Sequence, residues 1–264
     1  MTQTLEFHDI ERILKLLNET TDPLLSASVP ERRRLLIEGL AKLVEADVYI
    51  WSSTAINHDV PGDFMTTCVI DGGWASETEQ GPVYAILADP EFGRKAMGKL
   101  YQSMADGIRT TVGNGEVFPP DDQERLMEIW RRTGFEYFLL SMYPLNKHFS
   151  SNLGLHRRIG KPNFGEREKT IVQTVFSQVD WLHQYGVNEE AREVALGLSP
   201  RERQTLIYLL SGCSHKTIAA RMSISQHTVN DYVKQLHKHF GVNSRAELQA
   251  FFFLGSNLSA SRQE

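Results

Sequence analysis

Polar and basic side chains between residues 216 and 238 have the chemistry to contact nucleic acid. Lysine can bind phosphate or guanine, and asparagine can make paired hydrogen bonds to adenine. Val229, Val233, Leu236 and Phe240 recur every three or four positions, which predicts a helix with these residues on its inner face. The outer face then carries Gln226, His227, Thr228, Asn230, Asp231, Lys234, Gln235 and Lys238.

The same spacing predicts the elements that position these residues. In KTIAARMSISQHTVNDYVKQLHKH, an apolar helical pattern through Ile218, Ala219 and Met222 is interrupted at residues 223–225 and then resumes. Ser225 is a good N-cap, because its hydroxyl can accept a hydrogen bond from a backbone NH of the first helical turn. The stretch therefore predicts a helix, a three-residue turn and a second helix, which is one way of placing a helix in the DNA major groove.

Capping signals predict two further helices around this pair. The segments 199–202 and 244–247 each read as a capping box, with Ser at the cap and Glu three residues later. Gly212 and Gly241 suit left-handed positions at helix ends. The sequence thus predicts an all-α domain of four short helices with one small apolar core.

The segment LSPRERQTLIYLLSGCSHKTIAARMSISQHTVNDYVKQLHKHFGVNSRAEL resembles the LuxR-type (LuxR/FixJ/NarL) DNA-binding domain. The resemblance rests on its S-P-R-E-R opening, S-x-K-x-I-A core, I-S-x-x-T-V turn and G-V-x-S-R ending. In that family the start and middle of the second helix enter the major groove. The family usually has Lys where this chain has Asn230 and often His where it has Tyr232, so a different base preference is expected.

The resemblance and the outer face together give the expected contacts to double-stranded DNA. Asn230 and Lys234 are expected at base edges, and Val229 at a thymine methyl group if it turns outward. Asp231 can accept from cytosine or form an ion pair with a neighbouring lysine. The full set is Lys216, Ser225, Gln226, Thr228, Val229, Asn230, Asp231, Lys234 and Lys238.

A single module of this size touches few base pairs, so tight specific binding normally requires two. We therefore expect a homodimer, at least on DNA. The last helix, with Phe251 to Phe253, is the family's usual contact between paired domains, but these residues can equally cap the core. RNA polymerase is a further candidate partner.

Charge divides the chain into an acidic and a basic part. The net charge is -5, but the charges are unevenly distributed. Residues 198–264 contain eight Lys or Arg and four Asp or Glu, whereas residues 1–197 contain 20 Lys or Arg and 29 Asp or Glu. A basic part fits contact with phosphate. The sequence has only two cysteines, which fits a reducing compartment. Its start is not a signal peptide, and no apolar run is long enough to span a membrane. A cytoplasmic protein is therefore expected.

Residues 1–185 predict a second domain of class α+β. Several strands in hairpins, with helices before, between and after them, indicate an antiparallel sheet with flanking helices. The order of elements is similar to that of GAF or PAS sensor modules. We expect a linker at 186–197, the helix-turn-helix domain at 198–256 and a flexible tail at 257–264.

Aromatic residues in the first domain are sufficient to line a small-molecule pocket, although they can equally form its core. We expect the pocket at Tyr49, Trp51, Phe64, Trp74, Tyr84 and Tyr137. No arrangement of nucleophile and base, metal cluster or cofactor motif occurs, so neither an enzyme nor a cofactor is expected. The sequence predicts a transcriptional regulator whose first domain binds a signal and controls dimer geometry; the alternative is a scaffold without a ligand.

Overall fold

The computed structural model describes residues 5–21, 29–57, 63–76, 78–145, 149–183, 198–210 and 212–253. The chain begins with two amphipathic helices, α1 (Phe7–Thr21) and α2 (Val29–Leu43). They lie against one another, and Ile13 and Leu16 of α1 are buried.

A five-stranded antiparallel sheet forms the centre of the first region. The strands pair in the order β2-β1-β5-β4-β3, with Val48 opposite His156 and Leu139 opposite Leu155. A hairpin joins the last two strands, as the sequence predicts. The strands are β1 (Val48–Asn57), β2 (Asp63–Gly72), β3 (Thr110–Gly113), β4 (Phe135–Pro144) and β5 (Phe149–Arg158).

Each face of the sheet is covered by helices, so alternate strand residues belong to two cores. Tyr49 and Trp51 pack with α1, α2 and the later helix α7 (Glu166–Gln178), whereas Val48 and Ile50 pack on the opposite side. The opposite side is covered by α3 (Gln80–Leu87), α4 (Pro90–Ala105), α5 (Asn114–Val117), a 3-10 turn (Pro120–Asp122) and α6 (Gln123–Arg131).

Two local predictions differ from the structure. Gly113, Asn114 and Gly115 have the residue types of a turn, but Asn114 begins α5, and the carboxylate of Glu116 accepts the Gly113 NH at 2.9 Å at the start of this helix. The apolar spacing from Ile171 to Leu182 predicts one continuous helix from Gly165 to about Tyr185, but the helix breaks at Val179 before α8 (Asp180–His183). The break lets the buried His183 ring form hydrogen bonds with Ser151 Oγ and Phe176 O.

The last region is helical, as predicted. It consists of α9 (Pro200–Leu210), α10 (His215–Met222), α11 (Gln226–Phe240) and α12 (Arg245–Phe253). An α+β region with an antiparallel sheet followed by a helical helix-turn-helix region confirms the predicted fold class. The predicted linker at 186–197 and tail at 257–264 lie outside the described residues, and the domain boundaries stay a prediction.

Within the described part of the chain, no helix is long and apolar enough to cross a membrane.

Candidate DNA-binding surface

Serine caps fix the start of both helices of the helix-turn-helix. Ser214 Oγ accepts the Thr217 NH at 3.1 Å at the start of α10, and Ser225 Oγ accepts the Thr228 NH at 3.0 Å at the start of α11. Capping boxes at Ser199 and Ser244 start α9 and α12 in the same way. The predicted caps are therefore present, and each satisfies backbone NH groups that a helix start leaves without partners.

The turn itself depends on a left-handed residue. Ser223 ends α10 with φ 53° and ψ 45°, and its NH bonds back to the last turn of that helix. Gly241 plays the same part at the end of α11, with φ 64°. Three residues thus reverse the chain between the two helices, and Ile224 is half-buried between them.

The outer face of α11 is open to solvent. Asn230, Lys234 and Lys238 are exposed, as are Gln226 and Lys216. Ser225 is also exposed, and Thr228 is partly exposed beside it. Eight of the nine residues expected to contact DNA are therefore accessible, or partly so, on one surface.

Val229 is the exception to this arrangement. Its side chain has 0% exposure and packs in the helical core with Val233, Leu236 and Phe240. The inward turn of Val229 is complete, because its position on α11 belongs to the apolar stripe. In this conformation it cannot reach a thymine methyl group, so its inclusion among the DNA contacts is corrected.

Asp231 lies between two cationic or protonatable side chains on the same helix. Its carboxylate is 3.6 Å from His227 Nε2 and 3.9 Å from Lys234 Nζ. The ion pair with Lys234 is the alternative to a cytosine contact that the sequence leaves open. Both pairs are exposed, so they contribute little stability and can exchange for contacts with DNA.

A hydrogen bond that the sequence does not reveal joins the two helices. His215 Nδ1, at the start of α10, lies 2.7 Å from Asn230 Oδ1 on α11. Residues 15 apart in a chain give no local signal of contact. The bond orients the amide that is expected to read a base.

The last helix is largely a lid on the core. Leu248 and Phe252 have 0% exposure, and Phe251 is half-buried against Phe240 and Phe252. The sequence leaves two roles open for this aromatic run, a contact between paired domains or a cap on the core. The structure places Phe252 in the core.

A second candidate site lies inside the sheet region. A cavity of about 90 Å³ that is partly open to solvent lies between one face of the sheet and the helices α3, α4 and α6. Its lining is Ile50, Ser52, Thr54, Ile86, Leu87, Phe92, Met97, Phe118, Trp130, Phe138, Leu140, Met142, Asn152, Gly154 and His156. None of these fifteen residues is Asp, Glu, Lys or Arg.

Of the six aromatic residues predicted for a pocket, the five whose side chains the structure describes do not line this cavity. Tyr49 and Trp51 face the other side of the sheet, where Trp51 Nε1 donates to Ser151 Oγ. Trp74 and Tyr84 contact one another beside α9, and Tyr137 is half-buried on β4. The Phe64 side chain lies outside the described part. The structure does not bring the five described side chains together in one site.

Buried polar atoms without hydrogen-bond partners occur on three lining residues. They are Trp130 Nε1, Asn152 Oδ1 and His156 Nδ1. Burial lowers the pKa of His156 to about 3, so its ring is neutral. A buried polar group without a partner costs free energy, so a ligand with matching donors and acceptors could lower that cost.

Comparison with known proteins agrees with this geometry. Residues 196–252 match the family described as "Bacterial regulatory proteins, luxR family". The "Probable HTH-type transcriptional regulator GfsR" of Streptomyces halstedii is 38% identical over 53 residues, which are 20% of this chain and 22% of that protein. The match thus spans about a fifth of that relative's length.

Two solved structures are similar over most of the chain. The crystal structure of Escherichia coli SdiA has 16% identity and a TM-score of 0.40, covering 92% of this chain and 95% of that one. SdiA in complex with octanoyl-rac-glycerol has 16% identity and a TM-score of 0.38, covering 94% and 96%. The capped helices, the exposed outer face of α11 and the family match agree, and the helix-turn-helix region of this chain belongs to the luxR family of bacterial regulatory proteins.

Proposed function

We propose that this protein is a sequence-specific DNA-binding transcriptional regulator that acts as a homodimer and responds to a small ligand held in the sheet region. The observation that carries the DNA-binding part is the outer face of α11. There Asn230 and Lys234 are solvent-exposed on a helix whose inner face is fixed in a luxR-family core. Lys216 and Lys238 are exposed near them and suit phosphate contacts that set the register on the duplex.

Selection from a random duplex library tests the DNA-reading role. The wild type should enrich one sequence class, and Asn230→Ala and Lys234→Ala should each relax one position of it, at a cost of about 1–3 kcal/mol per lost base contact. Lys42→Ala, which removes a lysine on α2 far from α11, is the matched control. Unchanged selection by both α11 variants would show that another element reads the DNA.

The ligand part of the proposal rests on the cavity. Its lining is apolar except for a few hydroxyl, amide and ring groups, and Trp130, Asn152 and His156 each have a polar atom without a partner. Such a site suits an uncharged, mainly apolar molecule with at least one hydrogen-bond acceptor for Trp130 and one donor for Asn152. A charged ligand would be buried without a counter-charge, which is costly.

Native mass spectrometry of protein purified from its host tests this site. An added mass should be retained by the wild type and reduced in Trp130→Phe, which removes the indole NH together with part of the ring system. Trp74→Phe, a matched indole removal outside the cavity lining, should retain it. If both variants lose the added mass, or if neither does, the molecule that gives this mass is not bound in this cavity.

A scaffold without a ligand is the second candidate function. The small size of the cavity favours it, because ligand pockets usually have volumes of about 300–1,000 Å³. A regulator of this kind would carry no added mass and would have the same affinity for DNA whatever the source of the protein.

The homodimer is proposed because one helix-turn-helix module contacts few base pairs. Sedimentation of the full chain, alone and with a selected duplex, should give a dimer on DNA at micromolar concentration. A complex with one protein per duplex at saturation would contradict it.

A further inference from the structure

The cysteine between α9 and α10 lies beside a buried cluster of hydrogen-bond donors. Cys213 Sγ is 2.7 Å from Nη1 of the Arg221 guanidinium on α10. Within the described part of the chain Cys213 is not part of a disulfide, and it is half-buried between the exposed residues Gly212 and Ser214. The sulfur is thus within reach of a small solute.

Backbone contacts hold Cys213 in this place. Its NH donates to Tyr208 O at 3.0 Å at the end of α9, and its carbonyl accepts from Arg245 Nη1 on α12 at 2.8 Å. Gly212, with φ 90°, turns the chain between α9 and α10. Three helices of the helix-turn-helix region therefore fix the sulfur beside Arg221.

Tyr208 is the third member of the cluster. The centre of its ring is 5.5 Å from the Arg221 guanidinium. Tyr208 has 0% exposure, and its hydroxyl is buried without a hydrogen-bond partner. The amide of Gln204, which lies near this hydroxyl, donates to Gly81 O at 3.2 Å instead.

Packing on both sides of α9 separates the Tyr208 hydroxyl from water. Residues 203–210 of this helix are all buried, because the helix-turn-helix core covers one side and β2 and α3 cover the other. The ring of Tyr84 on α3 is 5.1 Å from the ring of Tyr208. Bulk water therefore cannot take the place of the missing partner.

Electrostatics place the Tyr208 hydroxyl close to the sulfur. Burial raises the pKa of this hydroxyl, and a negative charge on Cys213 raises it as well, whereas the Arg221 charge lowers it. The hydroxyl thus keeps its proton and is a hydrogen-bond donor. It is near enough to Cys213 for the charge of one group to act on the other.

Arg221 provides a second donor without a partner. Its Nε is buried and has no hydrogen-bond partner, although Nη1 contacts the sulfur. Arg221 Nε and Tyr208 OH are therefore two unsatisfied donors beside one sulfur atom, and buried donors of this kind cost free energy. Sulfur is a weak acceptor, whereas an oxygen atom bonded to it would accept from both.

Peroxide chemistry adds such an oxygen atom. A cation beside a thiol favours the thiolate, which is the form that is oxidised to sulfenic acid. The thiolate attacks one oxygen of hydrogen peroxide, so that an S–O bond forms and the O–O bond breaks. Sulfur loses two electrons, the peroxide gains them, and the leaving hydroxide takes a proton from solvent to become water.

We propose that Cys213 is an oxidation site for hydroperoxides and that Arg221 and Tyr208 hold the sulfenic acid formed there. Arg221 also activates the sulfur, whereas Tyr208 acts on the product. The proposal goes beyond DNA reading and ligand binding and requires neither, so its tests use no DNA and no ligand.

Reaction with hydrogen peroxide in excess dimedone, which traps sulfenic acids, tests the site on the full chain. Peptide mass mapping of the wild type separates labelling at Cys213 from labelling at Cys68. A free thiol at pH 7 is only a few per cent thiolate, so Cys213 should react about 10- to 30-fold faster in the folded protein than in urea. A folded rate equal to or below the rate in urea would overturn the proposal.

Substitution of Arg221 tests the activation of the sulfur. Arg221→Gln removes the cation and should remove the advantage of the folded state, whereas Arg221→Lys keeps the charge and should retain most of it. Arg201→Gln, at an exposed arginine on α9, is the matched control and should react as the wild type does. A wild-type rate in folded Arg221→Gln would contradict the role of Arg221. If that variant does not fold, the comparison of folded and unfolded wild type decides.

Tyr208→Phe tests how the product is held, because it removes the hydroxyl and keeps the buried ring. Cys213 should still be oxidised, but its sulfenic acid should be lost sooner to sulfinic acid, which dimedone added after the peroxide no longer traps. Tyr84→Phe, which removes the neighbouring hydroxyl that donates to Asp71, is the control. Equal survival of the sulfenic acid in Tyr208→Phe and the wild type would overturn the part assigned to Tyr208.

Discussion

His215 Nδ1 and Asn230 Oδ1 are 2.7 Å apart, and the bond between them joins the two helices of the helix-turn-helix. The amide oxygen can only accept, so His215 Nδ1 carries the hydrogen. The Asn230 amide NH groups stay free to donate, and in paired bonding to adenine the amide oxygen would be shared between His215 and the base.

We therefore predict that His215→Ala changes base preference rather than affinity alone. Freed from His215, the Asn230 amide can offer both its oxygen and its nitrogen, and selection at its base position should move towards adenine by about 1–3 kcal/mol. Sequencing of selected duplexes measures this. Lys216→Ala, next in the chain, should weaken binding to all sequences alike; equal base preferences in His215→Ala and the wild type would contradict the role of the bond.

Asp231→Asn should strengthen DNA binding and make it more sensitive to salt. The substitution removes a negative charge from the reading helix and frees Lys234, 3.9 Å away, to meet a phosphate. One extra phosphate contact steepens the slope of log affinity against log salt by about 0.9. Fluorescence anisotropy from low to moderate salt measures the slope. Glu124→Gln, an exposed acid on α6, should leave it unchanged.

Two buried histidines should make the fold sensitive to acid. Burial lowers the pKa of His156 to about 3 and that of His183 to about 4, so both are neutral when folded. The unfolded chain binds protons at these sites below about pH 6.5, so stability is full above that pH and falls as the pH drops towards the folded values. Between pH 7 and pH 5 each should cost about 2 kcal/mol.

Urea unfolding at the two pH values tests this prediction. His156→Phe should remove one of the two contributions while keeping a ring of similar size. His8→Phe, at an exposed site on α1, is the control and should leave the pH dependence as in the wild type. The same loss of stability in His156→Phe as in the wild type would show that His156 does not contribute.

The turn between α10 and α11 should tolerate glycine at residue 223 but not valine. Ser223 has φ 53°, a left-handed conformation that costs a β-branched residue about 1–2 kcal/mol. Thermal unfolding should give a lower midpoint for Ser223→Val and no loss for Ser223→Gly. Ser76→Val makes the same change of side chain at an exposed residue outside helices and strands, so it is the control.

Much of the DNA-binding region could be predicted from sequence because its signals are local. Ser214, Ser225 and Gly241 act within one turn of the helices that they start or end, and the apolar spacing of α11 fixes which face is exposed. The family's pattern assigns Val229 to DNA, but its own spacing on α11 places it in the core.

The cavity could not be predicted, because strand spacing alone does not say which face of a sheet encloses a space. Trp51 and Ser52 are neighbours in sequence but face opposite layers. Large aromatic side chains such as Tyr49 and Trp51 fill the core on one side. The cavity is on the other side, where Ser52 and Gly154 are small.

The docking of α9 is also invisible in the sequence. Arg203, Gln204 and Thr205 are the residue types of a solvent-facing helix, and nothing local indicates that all three are buried. Their burial depends on contacts with residues such as Gly81, more than a hundred positions away.

The burial of residues 203–210 of α9 has a consequence for protein engineering. A fragment that begins at residue 198 would keep the caps and core of the DNA-binding unit but expose the side of Tyr208 that now meets Tyr84. In a hybrid of that fragment with an unrelated first domain, this side of α9 would be exposed to solvent, and exposed apolar surface favours self-association. A fragment that also contains β2 and α3 would keep Tyr84 and Tyr208 covered. The unit that can be moved to another protein is therefore larger than the helix-turn-helix itself.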